Sequence, residues 1–138
     1  MIRRVILDTN TLVSAALRAG SVAEQALAKA LQSCEVCASA ETLGELATVL
    51  DRDKFDRYLN RDLRCRFVAV IRNSARLFAV QEADRMAVKP VCRDAKDNLF
   101  LALAVACEAD VLVSGYEDLL ALDPWNGVRI VTAREFLG

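Results

Sequence analysis

Val5-Ile6-Leu7-Asp8, close to the amino terminus, is the stretch whose reading decides the fold. Three consecutive apolar residues without polar alternation suit a strand covered on both faces, as in the interior of a parallel sheet. Asp8 then stands at the carboxyl end of that strand, the edge at which open α/β sheets bind their ligands. Helical character resumes over Thr11–Leu17, so Asp8 has a second reading as the cap of that helix, a role for which Asp, Thr and Asn are all suited. Both readings stand on this stretch alone.

Working outward, Ser21-Val-Ala-Glu24 has the form of a capping box and predicts a helix from about Val22 to Gln32. Cys34–Ala38 reads as a second strand, and Ser39 as the cap of a helix over Ala40–Leu50. In that helix Leu43, Leu46, Ala47 and Leu50 step as one buried stripe, with Glu41 and Glu45 together on the opposite face. Glu41, near the helix start, reads as solvated; Glu45 becomes a site residue if that face looks toward Asp8. Arg76–Val80 is a third strand, and Gln81–Lys89 a surface loop before Pro90. Asp94 and Asp97 are spaced as N-cap and N3 of a helix whose Leu99–Cys107 is apolar all round, the pattern of a buried helix. Val111–Val113 is a fourth strand ending at Ser114-Gly115. Tyr116-Glu117-Asp118 comes next and opens a short turn of helix, Leu119–Leu122. Asp123–Gly127 is a turn, Val128–Val131 a fifth strand, and Thr132-Ala-Arg-Glu135 a last capping box. This order predicts an α/β domain over residues 1–138, with a parallel sheet of about five strands and helices on both faces.

Composition narrows the chemistry. At 138 residues the chain is one domain by size, and 54% apolar content with a mean hydropathy of +0.24 suits a tightly covered sheet or an extra apolar surface. No apolar run approaches the ~20 residues of a membrane span, and no signal peptide is evident, which points to the cytoplasm. Five cysteines, an odd number, fit a reducing compartment, and Cys34-Glu-Val-Cys37, with no second pair, reads as buried thiols. The absence of histidine removes Ser-His-Asp and Cys-His catalysis and most zinc sites. No phosphate-binding glycine loop is present either. Carboxylates working with hard metal ions remain.

A net charge of −1 gives no global pull toward nucleic acid, so any such pull is local. Residues 51–76 supply one, with eight basic side chains, Arg52, Arg57 and Arg61 among them, against four acids. Leu63, Phe67, Val70 and Ile71 give the stretch an amphipathic period that turns its basic residues away from the core. Arginine dominates, which suits phosphate contact, although a solvated surface has the same composition.

On this frame the acids converge. Asp8 lies past strand one, Asp118 past strand four, Asp94 and Asp97 at the start of the buried helix, and Glu45 in the helix after strand two. Carboxylates brought together raise one another's pKa unless cations neutralise them. Mg2+ or Mn2+ prefers such oxygen ligands. Two ions about 4 Å apart could hold a phosphodiester and activate a water in place of the missing imidazole.

Four pieces in order carry a family resemblance: Val5-Ile-Leu-Asp8-Thr-Asn10; Ser39-Ala-Glu-Thr-Leu-Gly-Glu45-Leu with its downstream Val-Leu; Cys92-Arg-Asp94-Ala-Lys-Asp97-Asn with Leu-Ala-Leu-Ala; and Ala109-Asp-Val-Leu-Val-Ser114-Gly115 followed by Asp118-Leu-Leu. Over nearly its whole length the chain resembles a PIN-domain protein of the group described as the toxin of a bacterial or archaeal toxin–antitoxin pair. The resemblance implies a metal-dependent ribonuclease acting on single strands, with Asp8, Glu45 and Asp97 as principal acids, Asp94 as an additional one, and Asn10 and Ser114 lining the site. It also implies a cognate antitoxin that blocks the cleft and frequent homodimerisation. One departure is visible: where the family usually has Ser/Thr-Gly-Asp, this chain has Ser114-Gly115-Tyr116. Either Asp118 replaces the missing acid or one ion is held weakly.

Two functions from different classes follow, a Mg2+/Mn2+-dependent endoribonuclease in which the arginines of 52–76 engage the RNA backbone, or a PIN-like module that binds RNA or antitoxin with little or no turnover. An aspartyl-nucleophile phosphatase fits less well, because Asn10 stands where a D-x-D pair needs its second acid.

Overall fold

The structure is a computed structural model, and it describes residues 3–89 and 94–138. Its strands are β1 (Arg4–Leu7), β2 (Glu35–Ala38), β3 (Arg76–Leu77), β4 (Val111–Val113) and β5 (Arg129–Val131). The helices are α1 (Thr9–Leu17), α2 (Val22–Ser33), α3 (Ala40–Leu50), α4 (Arg61–Ser74), α5 (Glu82–Met86), α6 (Ala95–Cys107), α7 (Glu117–Leu120) and α8 (Ala133–Leu137). The strands form one parallel sheet in the order β3-β2-β1-β4-β5. The expected α/β architecture is therefore the observed one.

Sheet residues feed two cores in alternation, as the period of two along a strand requires. Val5, Leu7, Val36, Ala38, Val111 and Val113 point into a core shared with α1, α2, α3, α4 and α8. Ile6, Cys37, Leu112 and Ile130 point into the other, with α6, α7 and Trp125. Covered faces explain why the strands read as unbroken apolar runs. Because β2 lies on one side of β1 and β4 on the other, the chain reverses direction across the sheet at the β1/β4 junction. The backbone N–H of Asp8 donates to the Val113 carbonyl (3.0 Å), so the acid sits at that junction.

Several local expectations were realised and several shifted. Ala40–Leu50 is α3, capped as expected by Ser39, whose hydroxyl accepts from the Thr42 N–H while the Thr42 hydroxyl accepts from the Ser39 N–H. Its buried stripe is Thr42, Leu43, Leu46 and Leu50, and Ala47 is exposed. Gln81–Lys89 is not all loop, because the Asp84 carboxylate accepts from the Gln81 N–H (2.8 Å) and caps the single helical turn α5. Val91-Cys92-Arg93, ahead of Asp94, lies outside the described residues, as does Pro90. Of the two thiols expected to be buried, Cys37 is, donating to the Glu35 carbonyl (3.6 Å) and lying with Cys107 in the second core, whereas Cys34 is only half-buried. No helix is long and apolar enough to cross a membrane among the described residues.

The largest departure is the phase of α4. Its inward stripe is Arg64, Val68 and Ile71, with Phe67 packed alongside, whereas Leu63 and Val70 are exposed. Arg64 is 1% exposed. Its guanidinium donates to the carbonyls of Leu50 (2.7 Å) and Arg52 (2.9 Å) and pairs with the Asp56 carboxylate. A long aliphatic stem lets arginine cross a core boundary and satisfy the carbonyls at the end of α3, which no apolar side chain could do. Replacing Arg64 with Ala strips those carbonyls of their donor and opens a void. Urea unfolding of Arg64→Ala is expected to show a loss of about 2–4 kcal/mol, whereas Leu63→Ala, on the exposed face, is expected to stay within about 1 kcal/mol of the parent.

Candidate active site

Asp8 is fully buried at the carboxyl end of β1, and the capping role its sequence position allowed is realised. One carboxylate oxygen accepts from the Thr11 N–H at 2.8 Å and so caps α1. The other accepts from the Gly115 N–H at 3.4 Å, beyond the end of β4. The hydroxyls of Thr11 and Ser114 also bond to it. Burial drives the Asp8 pKa above the ordinary carboxylate range, and these hydrogen bonds pull it partway back. Ser114 is positioned in turn, since its hydroxyl accepts from the Tyr116 N–H (2.9 Å).

Asp97 lies in the first turn of α6 and is 4% exposed. Its pKa is raised, first by burial and then by the negative charges of Asp94, Asp118 and Asp8. Asp94 caps α6 by accepting from the Lys96 N–H (2.9 Å) and is exposed. Glu45 projects from α3 and meets the Lys96 ammonium at 3.5 Å. Asp118 is half-buried in α7. The Asn10 side chain approaches Gly115 closely, since a Cβ added to that glycine would lie 3.9 Å from the Asn10 amide nitrogen.

Tyr116 marks the common ground of these groups. Its phenol is pushed up to about 12, first by burial and then by the charges of Asp8, Asp97, Glu45 and Asp94. Four acids from three separate segments thus act on one side chain. Among the described residues, no three acids or thiols are already drawn close enough to surround an ion. What joins the acids is a shared negative field beside the β1/β4 junction. Sequence reasoning marked Tyr116 as the departure at a usual acid position but passed over Thr11 and Lys96 as parts of this constellation. Lys96, a cation between two acids on one helix start, was the more legible of these two.

The arginines expected to engage RNA lie in the segment joining α3 to α4 and at the start of α4. Arg52 is exposed. Arg57 is exposed and stacks over Tyr58, 5.6 Å from the ring centroid. Arg61 pairs with Asp51 (3.2 Å) and Asp53 (2.9 Å), exposed ion pairs of the kind worth little in water.

A five-stranded parallel domain with acids gathered where its strand order reverses is a recognisable class of α/β protein, and comparison with known proteins specifies it further. The profile of the PIN domain matches residues 4–116, and the chain belongs to the PIN domain family. Among solved structures, VapBC2 from Rickettsia felis, bound to a DNA fragment from their promoter, superposes with a TM-score of 0.66 at 13% identity, over 92% of this chain and 96% of that one. Mycobacterium tuberculosis VapC20, a Sarcin-Ricin loop cleaving toxin, superposes with a TM-score of 0.59 at 15% identity, over 91% of this chain and 98% of that one. No curated protein matches in sequence.

The raised acids have a consequence for stability. Between the unfolded carboxylate value of 3.8 and its own folded value, Asp97 binds more protons in the folded state than in the unfolded one. Its cost to stability is therefore full at neutral pH and fades as the pH falls toward 3.8. In chelator at pH 7, Asp97→Asn is expected to raise the melting temperature by roughly 3 °C. Thermal melts of both proteins as the pH is lowered toward 4 should show that difference shrink; a difference that grows on acidification contradicts this account.

Proposed function

We propose that this chain is a Mg2+- or Mn2+-dependent endoribonuclease that hydrolyses single-stranded RNA, and that it is the toxin of a cytoplasmic toxin–antitoxin pair. The observation that supports this best is the convergence of Asp8, Glu45, Asp94 and Asp97 on Tyr116, with burial and mutual repulsion holding Asp97 above the ordinary carboxylate range. A donor set made wholly of mutually destabilising carboxylates is the set a hard divalent cation relieves. In this structure the Lys96 ammonium partners Glu45 as a single positive charge. Asp8, Glu45 and Asp97, with Asp94 and Asp118 beside them, would hold the metal. When bound there, the metal would neutralise the scissile phosphate and lower the pKa of a water, the work a histidine would otherwise do.

The chain's own residues supply the remainder. Thr11, Ser114 and Gly115 fix the Asp8 carboxylate, so its charge needs no rearrangement when substrate arrives. The amino terminus of α6, where Asp94 and Asp97 sit, turns the positive end of a 13-residue helix toward the same region and favours a phosphate there. Asn10 and Ser114 line this space. Exposed Arg52 and Arg57, together with Arg61, offer positive charge along an RNA backbone. The likeness to a toxin that cleaves the Sarcin-Ricin loop supports RNA as the substrate class. A cognate antitoxin that covers the cleft, and a homodimer, belong to the same reading.

Tyr116 favours a second reading, a PIN module that binds RNA or antitoxin with little turnover, because a phenol stands among the acids where an acid is usual in the family. Purified protein incubated with mixed cellular RNA separates the two. With Mn2+ the parent is expected to cleave, and EDTA or Asp8→Asn to lower the rate by roughly two orders of magnitude or more. Neither cleavage of any RNA nor a metal-dependent rise in melting temperature would leave the binding module standing. Tyr116→Asp is expected to tighten Mn2+ binding by about tenfold in a calorimetric titration, as one more carboxylate joins the set.

A further inference from the structure

Beside the acidic cleft lies a cavity of about 240 Å³ between α3, α5 and α6. Its walls are the apolar side chains of Val80, Val88, Leu99 and Ala102. Polar groups of Glu41, Arg85 and Asn98 line its edge. Glu41 and Arg85 are paired at 3.3 Å, and each keeps more than a third of its side chain in solvent. The cavity is small beside the ~300–1,000 Å³ that drug-sized ligands fill, so it suits one ring system rather than a peptide segment.

Its position connects it to the proposed cleavage centre. Glu41 precedes Glu45 by four residues on α3, a rise of about 6 Å. Asn98 follows Asp97 directly on α6. An occupant of this cavity is thus roughly one helical turn from the acids, which is the place of a base flanking the scissile phosphate.

We infer that this cavity takes a guanine base of the RNA substrate. Apolar aliphatic walls with a polar edge match a nucleobase, whose faces are apolar and whose rim carries donors and acceptors. Guanine alone presents two neighbouring acceptors, O6 and N7, to a guanidinium fork, together with an amino donor that a carboxylate can accept. Arg85 and Glu41 offer that fork and that carboxylate side by side. An exposed ion pair contributes little in water, so exchanging Glu41–Arg85 contacts for base contacts costs little. The inference rests on the ribonuclease reading for its biological sense, but the pocket can be tested without catalysis.

Two measurements decide it. In EDTA, guanosine, adenosine and uridine 5′-monophosphates are titrated separately into the protein and followed by NMR. Guanosine monophosphate is expected to shift the Arg85 Nε–H and Leu99 methyl signals at millimolar concentration, and the other two are not. Arg85→Gln and Glu41→Gln are each expected to weaken that response by about tenfold while leaving the folded spectrum intact. With Mn2+, a single-stranded oligoribonucleotide containing one guanine is compared with its adenine counterpart. About tenfold faster cleavage next to guanine is expected, falling to within about twofold in Arg85→Gln. Cleavage without base preference overturns the pocket and leaves the ribonuclease reading intact. Guanine-specific shifts without cleavage of any RNA uphold the pocket and remove the ribonuclease reading. Shifts that are absent, or identical for all three nucleotides, overturn the pocket whatever the enzyme does.

Discussion

A carboxylate fully removed from solvent stands where the strand order of the sheet reverses, and much of the local structure exists to hold it there. Isolating an ionised carboxylate from water costs several kcal/mol. For Asp8 the cost is offset by two backbone N–H groups and two hydroxyls, drawn from α1 on one side and from the end of β4 on the other. Those donors exist only if β1 and β4 are adjacent and α1 starts at once after β1. The acid and the topology are therefore mutually dependent, since the fold supplies the hydrogen bonds and the acid fixes how tightly α1 and β4 meet.

Around this point the electrostatics are unbalanced by construction. Asp97, Asp94, Asp118 and Glu45 approach it from α6, α7 and α3, with Lys96 as the cation paired to Glu45. Such a concentration of like charge raises the energy of the folded protein and is retained where the described residues otherwise satisfy their buried polar groups well. The buried side-chain atoms without a hydrogen-bond partner among the described residues are the Thr9 hydroxyl and the Arg64 Nε. Functional sites are where proteins keep arrangements that stability alone would remove.

How much of this could be read in the sequence depended on how local the signal was. The β1–Asp8 junction, the bounds of α3 and β4, and the caps Ser39, Asp94 and Thr132 were all legible, because each follows from neighbouring residues whose chemistry points one way. The positions of Asp8, Asp94, Asp97 and Asp118, after a strand or at a helix start, were legible, while that of Glu45 depended on which way the middle of α3 faces. The phase of α4 was not. Its basic residues read as uniformly outward-facing, yet Arg64 is among the most buried side chains of the protein, because the carbonyls it satisfies belong to the end of α3. The same reason hid the company of Cys37 and Cys107 in the second core, and left α5 as loop: a partner distant in sequence, or a single capped turn, leaves no periodic trace.

The bond from Gly115 to Asp8 also has a temporal meaning. It spans 107 positions, so Asp8 is made long before the strand that encloses it. On the ribosome, a nascent chain that stops short of β4 carries Asp8 at the rim of an unfinished sheet, with no Ser114 or Gly115 to seat it. The cleft is consequently completed only once β4 and the Ser114-Gly115 turn behind it have emerged.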